Sequence, residues 1–164
     1  LVFARGELPL TDRVAPKALF DSLRAAAEVH VQGLQVRWQC EARGGELLCN
    51  RDTLVGTVLN LVENAIQACG PELRLKVHLY ARADSLRLSV SDNGPGMDPA
   101  TLARLGEPFF TTKTTGTGLG LAVVKAVARA HQGQLQLRSR PGRGTCATLI
   151  LPLIPAAPLS AIQE

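Results

Sequence analysis

Residues 115–122 read TGTGLGLA and stand at the start of an apolar stretch with helical periodicity. A glycine cluster that opens a helix can present backbone N–H groups and the positive helix end to an anion. Two familiar phosphate loops do not fit. Leu121 and Ala122 stand where a Walker A loop needs Lys and then Ser or Thr. A dinucleotide fingerprint needs another glycine spacing, directly after a strand. Taken alone, the cluster fits either a phosphate site of a different kind or a structural glycine-rich turn, and the other segments of the chain favour the phosphate site.

The elements on both sides of the cluster predict an α+β fold. Periodicity indicates helices over 16–31, 51–69 and 119–131. Alternation of apolar and polar residues indicates strands over 34–42, 46–50, 73–81, 85–92, 134–140 and 145–153. Residues 1–15 are predicted to be a linker, and residues 93–117 form a Gly-, Pro- and Thr-rich loop long enough to be functional. This order predicts helices layered on one face of a mixed sheet.

Composition narrows the functional class. The chain has 164 residues, of which 46% are hydrophobic and 20% charged, and this favours one folded domain. No run approaches the ~18 apolar residues that cross a bilayer, so no membrane contact is expected. The net charge of +4 is scattered and only 4% of residues are aromatic, so no nucleic-acid surface is expected. The cysteines form no C-x-x-C pair, and we expect buried free thiols in a reducing cytoplasm. They are Cys40, Cys49, Cys69 and Cys146.

The segment SDNGPGM, residues 91–97, places a carboxylate at the end of a predicted strand. There Asp92 could accept a hydrogen bond from the exocyclic amine of an adenine, while Gly94 and Gly96 leave space for the ring. A plain Asp-Asn-Gly turn is the simpler explanation for this motif taken alone.

The segment NLVENA, residues 60–65, places two amides on one face of a predicted helix. Asn60 and Asn64 are four residues apart, so they are neighbours on the helix surface. An Asn amide oxygen suits Mg²⁺, which prefers oxygen ligands. Two solvated side chains are the alternative, although close apolar neighbours disfavour it.

The segment EPFFTTK, residues 107–113, holds two of the few aromatic residues in the chain. Phe109 and Phe110 could clamp a mobile segment onto the domain. Lys113 could reach a terminal phosphate as a point charge.

Taken together and in this order, the segments resemble the catalytic ATP-binding domain of bacterial sensor histidine kinases. This family lies in the superfamily that also contains gyrase, Hsp90 and MutL. The similarity spans about residues 10–153, and its four boxes are 60–65, 92–96, 107–113 and 116–121. The short lid is similar to the nitrogen-regulator type, and a flagellar-regulating sensor kinase is one candidate for the whole protein.

The resemblance implies a Bergerat fold, with a mixed sheet of about five strands backing three helices. It implies the end of a dimerisation helix or linker at 1–12, the ATP-binding domain at 13–154 and a tail at 155–164. Residues 98–117 would form a lid over Mg·ATP. The implied nucleotide ligands are Asn60, Asn64, Asp92, Gly94, Gly96, Lys113, Gly116, Thr117, Gly118, Leu119, Gly120 and Thr145. Asn64 would also bind the metal, and Thr145 would assist Asp92 through a water.

The reaction has to be argued separately, because the superfamily also contains ATPases. Those relatives carry a Glu general base where this chain has Asn60, and a neutral amide cannot accept a proton. The candidate catalytic residues are Asn60, Glu63 and Lys113, although Glu63 is rotated by about 100° from Asn64 on a helix. We therefore expect transfer of the γ-phosphoryl group to a nucleophile other than water. The resemblance implies that this nucleophile is a histidine, and that the phosphoryl group is then relayed to a response regulator receiver domain.

That acceptor histidine is expected on a separate dimerisation domain. His30, His78 and His131 lack the following residues that are typical of the family's acceptor. The alternatives are a GHKL-type ATPase module, a module that only binds nucleotide, and an anti-sigma-like serine kinase of the same fold.

Overall fold

A five-stranded mixed sheet forms one layer of the computed structural model, which describes residues 8–105 and 120–155. In spatial order its strands are β2 (Gln35–Ala42), β4 (Arg74–Arg82), β5 (Ser85–Asp92), β7 (Thr145–Pro152) and β6 (Gln134–Ser139). The β2 and β4 strands are parallel, and the remaining neighbours are antiparallel. The predicted mixed sheet of about five strands is confirmed.

Three longer helices cover one face of this sheet. They are α1 (Pro16–Ala27), α2 (Arg51–Cys69) and α4 (Gly120–Ala130). Along β4 the side chains of Leu75, Val77 and Leu79 are buried, while the residues between them are exposed or half-buried. The β5 strand shows the same alternation. The core therefore lies between one sheet face and the helices, which is the predicted two-layer arrangement.

The α2 helix has clear start and stop signals in the sequence. The Asn50 side chain accepts a hydrogen bond from the Thr53 N–H at 3.2 Å, which caps the first turn. Gly70 follows the last helical residue with a φ of +63°, a conformation that favours glycine. The bounds agree with the predicted helix over 51–69. In contrast, α1 ends at Ala27 and is shorter than predicted.

A small two-stranded ribbon corrects the prediction of a linker over 1–15. The β1 strand (Asp12–Val14) pairs antiparallel with β3 (Leu47–Cys49) and brings the end of that segment into the folded domain. Three residues are too few to show alternation, so composition alone indicated a linker. The β3 strand therefore pairs with β1 and does not pair with β2, even though only a short segment with the Gly44-Gly45 turn connects β2 to β3.

A short helix corrects the prediction of an unbroken loop over 93–117. The α3 helix (Pro99–Arg104) is capped by the preceding Asp98, whose carboxylate accepts the Thr101 N–H at 2.7 Å. That hydrogen bond lowers the pKa of Asp98. An Asp cap followed by Pro is a good helix start, but a helix of 6 residues is too short to show periodicity.

The four cysteines are free, as expected, but only one of them is fully buried. Cys49 lies in the core, whereas the other three are partly exposed. The prediction of buried thiols therefore holds for Cys49 alone. Within the described residues, no helix combines the length and the apolar character needed to span a membrane.

A buried histidine joins the start of α2 to the end of α4. The His131 ring donates from Nδ1 to the Val127 carbonyl at 2.8 Å, because that oxygen can only accept. Its Nε2 is therefore unprotonated and accepts the Asn50 N–H at 3.1 Å. The side chain is 2% exposed, and burial lowers the pKa of His131 below 6.5.

We expect this histidine to make the domain less stable in mild acid. The unfolded chain binds a proton near pH 6.5 while the folded chain resists it, so stability falls as pH drops below that value. Urea unfolding between pH 5 and pH 7 should show this slope, and His131→Gln should remove most of it. The exposed His30 gives a matched control, and an equal loss of slope in His30→Gln would contradict the assignment.

Candidate functional site

A cavity of about 620 Å³ lies between α2, the sheet and the start of α4. This volume is in the range of small-molecule and cofactor sites. The described residues that line it include Asn64, Gln67, Ala68, Asp92, Pro95, Gly96, Met97, Leu105, Leu121, Leu137, Thr145 and Ala147. Predicted site residues from three separate segments of the chain, represented by Asn64, Asp92 and Thr145, thus share one cavity.

The Asp92 carboxylate is held in place by backbone donors. Its Oδ1 accepts the Gly94 N–H at 2.9 Å and the Thr145 N–H at 3.2 Å. Asp92 ends β5, so its side chain points to the helix-covered face like Val90 before it. Neither of these two backbone donors binds Oδ2, and this oxygen can accept a hydrogen bond from a ligand in the cavity. Thr145 therefore contacts Asp92 directly, in addition to the water-mediated contact predicted for it.

Cys69, at the end of α2, is a neighbour of Asp92 that the sequence did not reveal. Burial raises the pKa of the Cys69 thiol to about 11, and the adjacent Asp92 carboxylate acts in the same direction. The thiol is therefore protonated at neutral pH and can donate its proton to Asp92 in a hydrogen bond. This contact adds a third donor to the carboxylate's surroundings.

The glycines around Asp92 allow close backbone packing. A Cβ on Gly94 would lie 2.7 Å from Cys69 Sγ, and one on Gly96 would lie 1.9 Å from the Arg140 carbonyl oxygen. Gly96 also has a φ of +70°, which disfavours other residues. Gly96 also lines the cavity. The structure shows that both glycines are needed for packing, in addition to their predicted role of leaving space for the adenine ring.

On α2, Asn64 and Glu63 face different surroundings. Asn64 lines the cavity, and Asn60 lies one helical turn earlier on the same face but outside the described lining. Glu63 contacts His30, with 3.3 Å between Oε1 and Nδ1. Its side chain is 45% exposed and is not among the described lining residues. The structure therefore separates Glu63 from Asn64, as the helical rotation predicted.

The start of α4 opens towards the same cavity. Leu121 lines it, and no described atom lies within 4 Å of the position a Cβ would take on Gly120. The first turn of a helix carries unpaired N–H groups that suit an anion. The other predicted phosphate ligands lie outside the described residues. They are Lys113 of the EPFFTTK segment and Gly116, Thr117, Gly118 and Leu119 of the glycine cluster. The predicted clamp of Phe109 and Phe110 also lies outside the described residues.

Several lining residues were not predicted, although a signal for two of them exists. Gln67 and Ala68 follow Asn64 by three and four residues, so they share its helix face. Met97 and Leu105 flank α3 and line the cavity through loop and turn geometry. Leu137 and Ala147 come from β6 and β7. Strand alternation gives their inward direction, but only the tertiary fold brings them to this cavity.

The donors at this cavity fit a magnesium ion that is shared with a ligand. Asn64 supplies a neutral amide oxygen on the cavity wall. Mg²⁺ prefers oxygen and is commonly bound by one or two protein groups together with phosphate oxygens. Within the described residues, no cluster of three or more His, Cys, Asp or Glu side chains could hold a metal.

A family model matches residues 49–155, which is more than half of the chain. The family is described as histidine kinase-, DNA gyrase B- and HSP90-like ATPase. The chain is 40% identical over 107 residues to the signal transduction histidine-protein kinase AtoS of Escherichia coli, covering 65% of the chain and 18% of AtoS. It is 38% identical over 120 residues to the sensor histidine kinase ZraS of the same species, covering 73% of the chain and 26% of ZraS. The chain thus spans about a quarter or less of these relatives.

Solved structures agree with this assignment. A mycobacterial sensor histidine kinase, MprB, superimposes with a TM-score of 0.75 at 26% identity, covering 88% of this chain and 99% of that one. Full-length ShkA in complex with AMPPNP superimposes with a TM-score of 0.79 at 25% identity, covering 93% of this chain and 33% of ShkA. The resemblance proposed from the sequence is confirmed: the chain belongs to the histidine kinase-, DNA gyrase B- and HSP90-like ATPase family.

Proposed function

We propose that this chain is the ATP-binding catalytic domain of a sensor histidine kinase. It binds Mg·ATP in the cavity between α2 and the sheet, and presents the γ-phosphoryl group to a histidine on a separate dimerisation domain. The phosphoryl group then passes to a response regulator receiver domain. The observation that carries this proposal is that Asp92 and Asn64 line one cavity with the start of α4.

Each group has a distinct part in this proposal. Asp92 Oδ2 accepts a hydrogen bond from the adenine amine, while backbone donors hold Oδ1. Asn64 contributes an oxygen to Mg²⁺, which neutralises charge on the phosphates. The start of α4 and the glycines before it bind the phosphates through N–H groups, with Lys113 at the terminal phosphate. These contacts position the nucleotide and stabilise charge, which is the main catalytic requirement of phosphoryl transfer.

Asn60 favours transfer to a protein over hydrolysis. A general base contributes about 10²–10⁴-fold to a reaction, and an amide cannot serve as one. The half-buried Glu63 contacts His30 and is not among the described residues lining the cavity. We place the chain in the cytoplasm, where its free thiols stay reduced.

Phosphotransfer to a supplied acceptor tests the function. We expect the chain, given Mg²⁺ and γ-labelled ATP, to label a purified dimerisation domain of a relative such as AtoS on histidine. The catalytic domain of that relative is the positive control. Without an acceptor, the chain should bind ATP and release phosphate only slowly. Steady hydrolysis without an acceptor would instead favour an ATPase module, and a failure to bind ATP would exclude both.

We expect Asp92→Asn to weaken ATP binding by about 1–3 kcal/mol, because a charged acceptor in a partly buried site is lost. This corresponds to roughly 5–150-fold in the dissociation constant measured by calorimetry. Asp84→Asn is the matched control, since Asp84 lies in the exposed β4–β5 turn. An affinity for ATP that is unchanged in Asp92→Asn would remove Asp92 from the adenine site.

A further inference from the structure

The sheet face that is turned away from the helices carries an unusual excess of positive charge. Side chains alternate along each strand, so this face can be read directly from the register. Its cations are Arg37, Arg74, Lys76, Arg82, Arg87 and Arg138. Among the described residues, Glu41 is the only carboxylate on this face. Six cations against one carboxylate leave an excess of five, whereas the whole chain carries +4. The rest of the molecule is therefore nearly balanced.

The single carboxylate lies away from most of these cations. Glu41 Oε2 contacts His78 Nε2 at 2.8 Å. In the register, Glu41 stands opposite Tyr80, whereas Arg37 stands opposite Lys76, four residues earlier on both strands. Four residues of extended strand span about 13 Å. The positive charge at the Arg37 end is thus not offset by Glu41.

One row of the sheet concentrates this charge. Arg37 stands opposite Lys76, Lys76 opposite Ser91, Ser91 opposite Cys146, and Cys146 opposite Arg138. The row crosses all five strands. Neighbouring strands lie about 4.8 Å apart, so Arg37 and Arg138 are separated by about 19 Å. Arg74, the first residue of β4, extends this charge beyond the row.

The turn between β6 and β7 adds two more cations beside this row. Arg140 and Arg143 line a cleft of about 550 Å³ together with Arg138, and Leu102 of α3 forms part of its wall. The three arginines are exposed. Asp92 also lines this cleft, but its carboxylate accepts the Gly94 and Thr145 N–H groups. The part of the chain that the structure describes offers no carboxylate within 4.0 Å of the three arginines. Their charge is available to a partner.

We propose that this surface docks an acidic face of a partner protein. We call it the basic end, defined as Arg37, Arg74, Lys76, Arg138, Arg140 and Arg143. A guanidinium pairs with carboxylates through two parallel hydrogen bonds, and exposed charges of opposite sign steer association. A row about 19 Å long suits several carboxylates on one protein surface better than a single small anion.

The composition of the basic end favours a protein over nucleic acid or lipid. Nucleic-acid sites carry aromatic side chains on which bases stack. The exposed aromatic residue described on this sheet face, Tyr80, lies four residues from Lys76 along β4, about 13 Å away. The exposed large hydrophobic residues among those described are Val29, Leu48 and Tyr80, and none belongs to the basic end. An interfacial membrane surface needs such apolar groups.

The basic end lies beside the mouth of the candidate nucleotide cavity. The Gly142 N–H donates to the Pro95 carbonyl at 2.7 Å, and the Met97 N–H donates to Ser139 Oγ at 2.8 Å. These bonds tie the arginine-bearing turn to the segment that leads into α3. The inference does not depend on the proposed function, since it rests on the charges, the strand register and the cleft at the β6–β7 turn.

Peptide binding by charge-matched variants tests the proposal. The probe is a blocked, fluorescein-labelled peptide with five Glu alternating with five Ser, at about 0.1 M salt. We expect Arg37→Gln/Lys76→Gln/Arg138→Gln to weaken binding by about tenfold. The control Arg43→Gln/Arg82→Gln/Arg129→Gln removes three exposed charges outside the basic end and should change binding less than about twofold. Thermal unfolding of both variants checks their folding.

Equal weakening by the two triple variants would overturn the proposal, because net charge alone would then explain binding. A hexamer of deoxythymidine, which carries five phosphates, and phosphatidylserine vesicles are the comparison probes. If the hexamer or the vesicles bind more tightly than the peptide, and the first variant loses that binding, the surface would bind nucleic acid or membrane instead. That result would also overturn the proposal. No detectable peptide binding to the unmodified chain would do the same.

Discussion

Asn64→Ala is expected to lower the rate of magnesium-dependent phosphotransfer by about 100-fold or more. Losing a group that only orients a metal ligand costs about 10–100-fold in metal affinity or activity, and losing the ligand itself should cost at least as much. The amide lines the cavity on α2, and the proposed function gives it an oxygen contact to Mg²⁺. Labelling of a supplied dimerisation domain with γ-labelled ATP measures the loss.

Two comparisons separate a metal role from a packing role for Asn64. In EDTA, the affinity of Asn64→Ala for ATP should match that of the unmodified chain, because the contact acts through the metal. Asn64→Asp keeps an oxygen ligand and should retain part of the activity at raised Mg²⁺ concentration. Normal phosphotransfer by Asn64→Ala would mean that the metal is bound elsewhere.

Gly144→Ala is expected to destabilise the domain by about 2–5 kcal/mol, combining left-handed strain with overpacking. A Cβ at this position would lie 2.0 Å from the Asp92 carbonyl oxygen, and the φ is +76°. Because the neighbour is backbone, the β6–β7 turn must move away from Asp92. That movement would break the Thr145 N–H bond to Asp92 Oδ1, so the affinity for ATP should fall as well.

The same turn provides a matched control for Gly144→Ala. Gly142 also has a φ of +76°, but no described atom lies within 4 Å of its Cβ position. Gly142→Ala should therefore cost only the strain of about 1–2 kcal/mol. Thermal and urea unfolding measure both variants, and Gly144→Ala should lower Tm by on the order of 10 °C. Equal destabilisation by the two variants would show that the contact with Asp92 is relieved without cost.

Long periodic segments and hairpins were predictable because their signals are local. The helix over 51–69 has a cap, an apolar stripe and a stopping glycine, and the structure gives it the same bounds. Short elements were not predictable in this way. Both β1 and α3 are too short for periodicity, and β1 is formed by pairing with β3, which is more than 30 positions away in the chain.

The sequence already determined the chemical groups of the candidate site, because residue types set what each segment can bind. A carboxylate at a strand end, an amide on a helix and glycines before a helix predicted adenine, metal and phosphate contacts. Only the tertiary structure decided how those groups are held. The Thr145 and Cys69 contacts to Asp92, and the packing of Gly144 against it, join residues more than 20 positions apart. Local sequence cannot encode such distances, because they depend on how the sheet and helices pack.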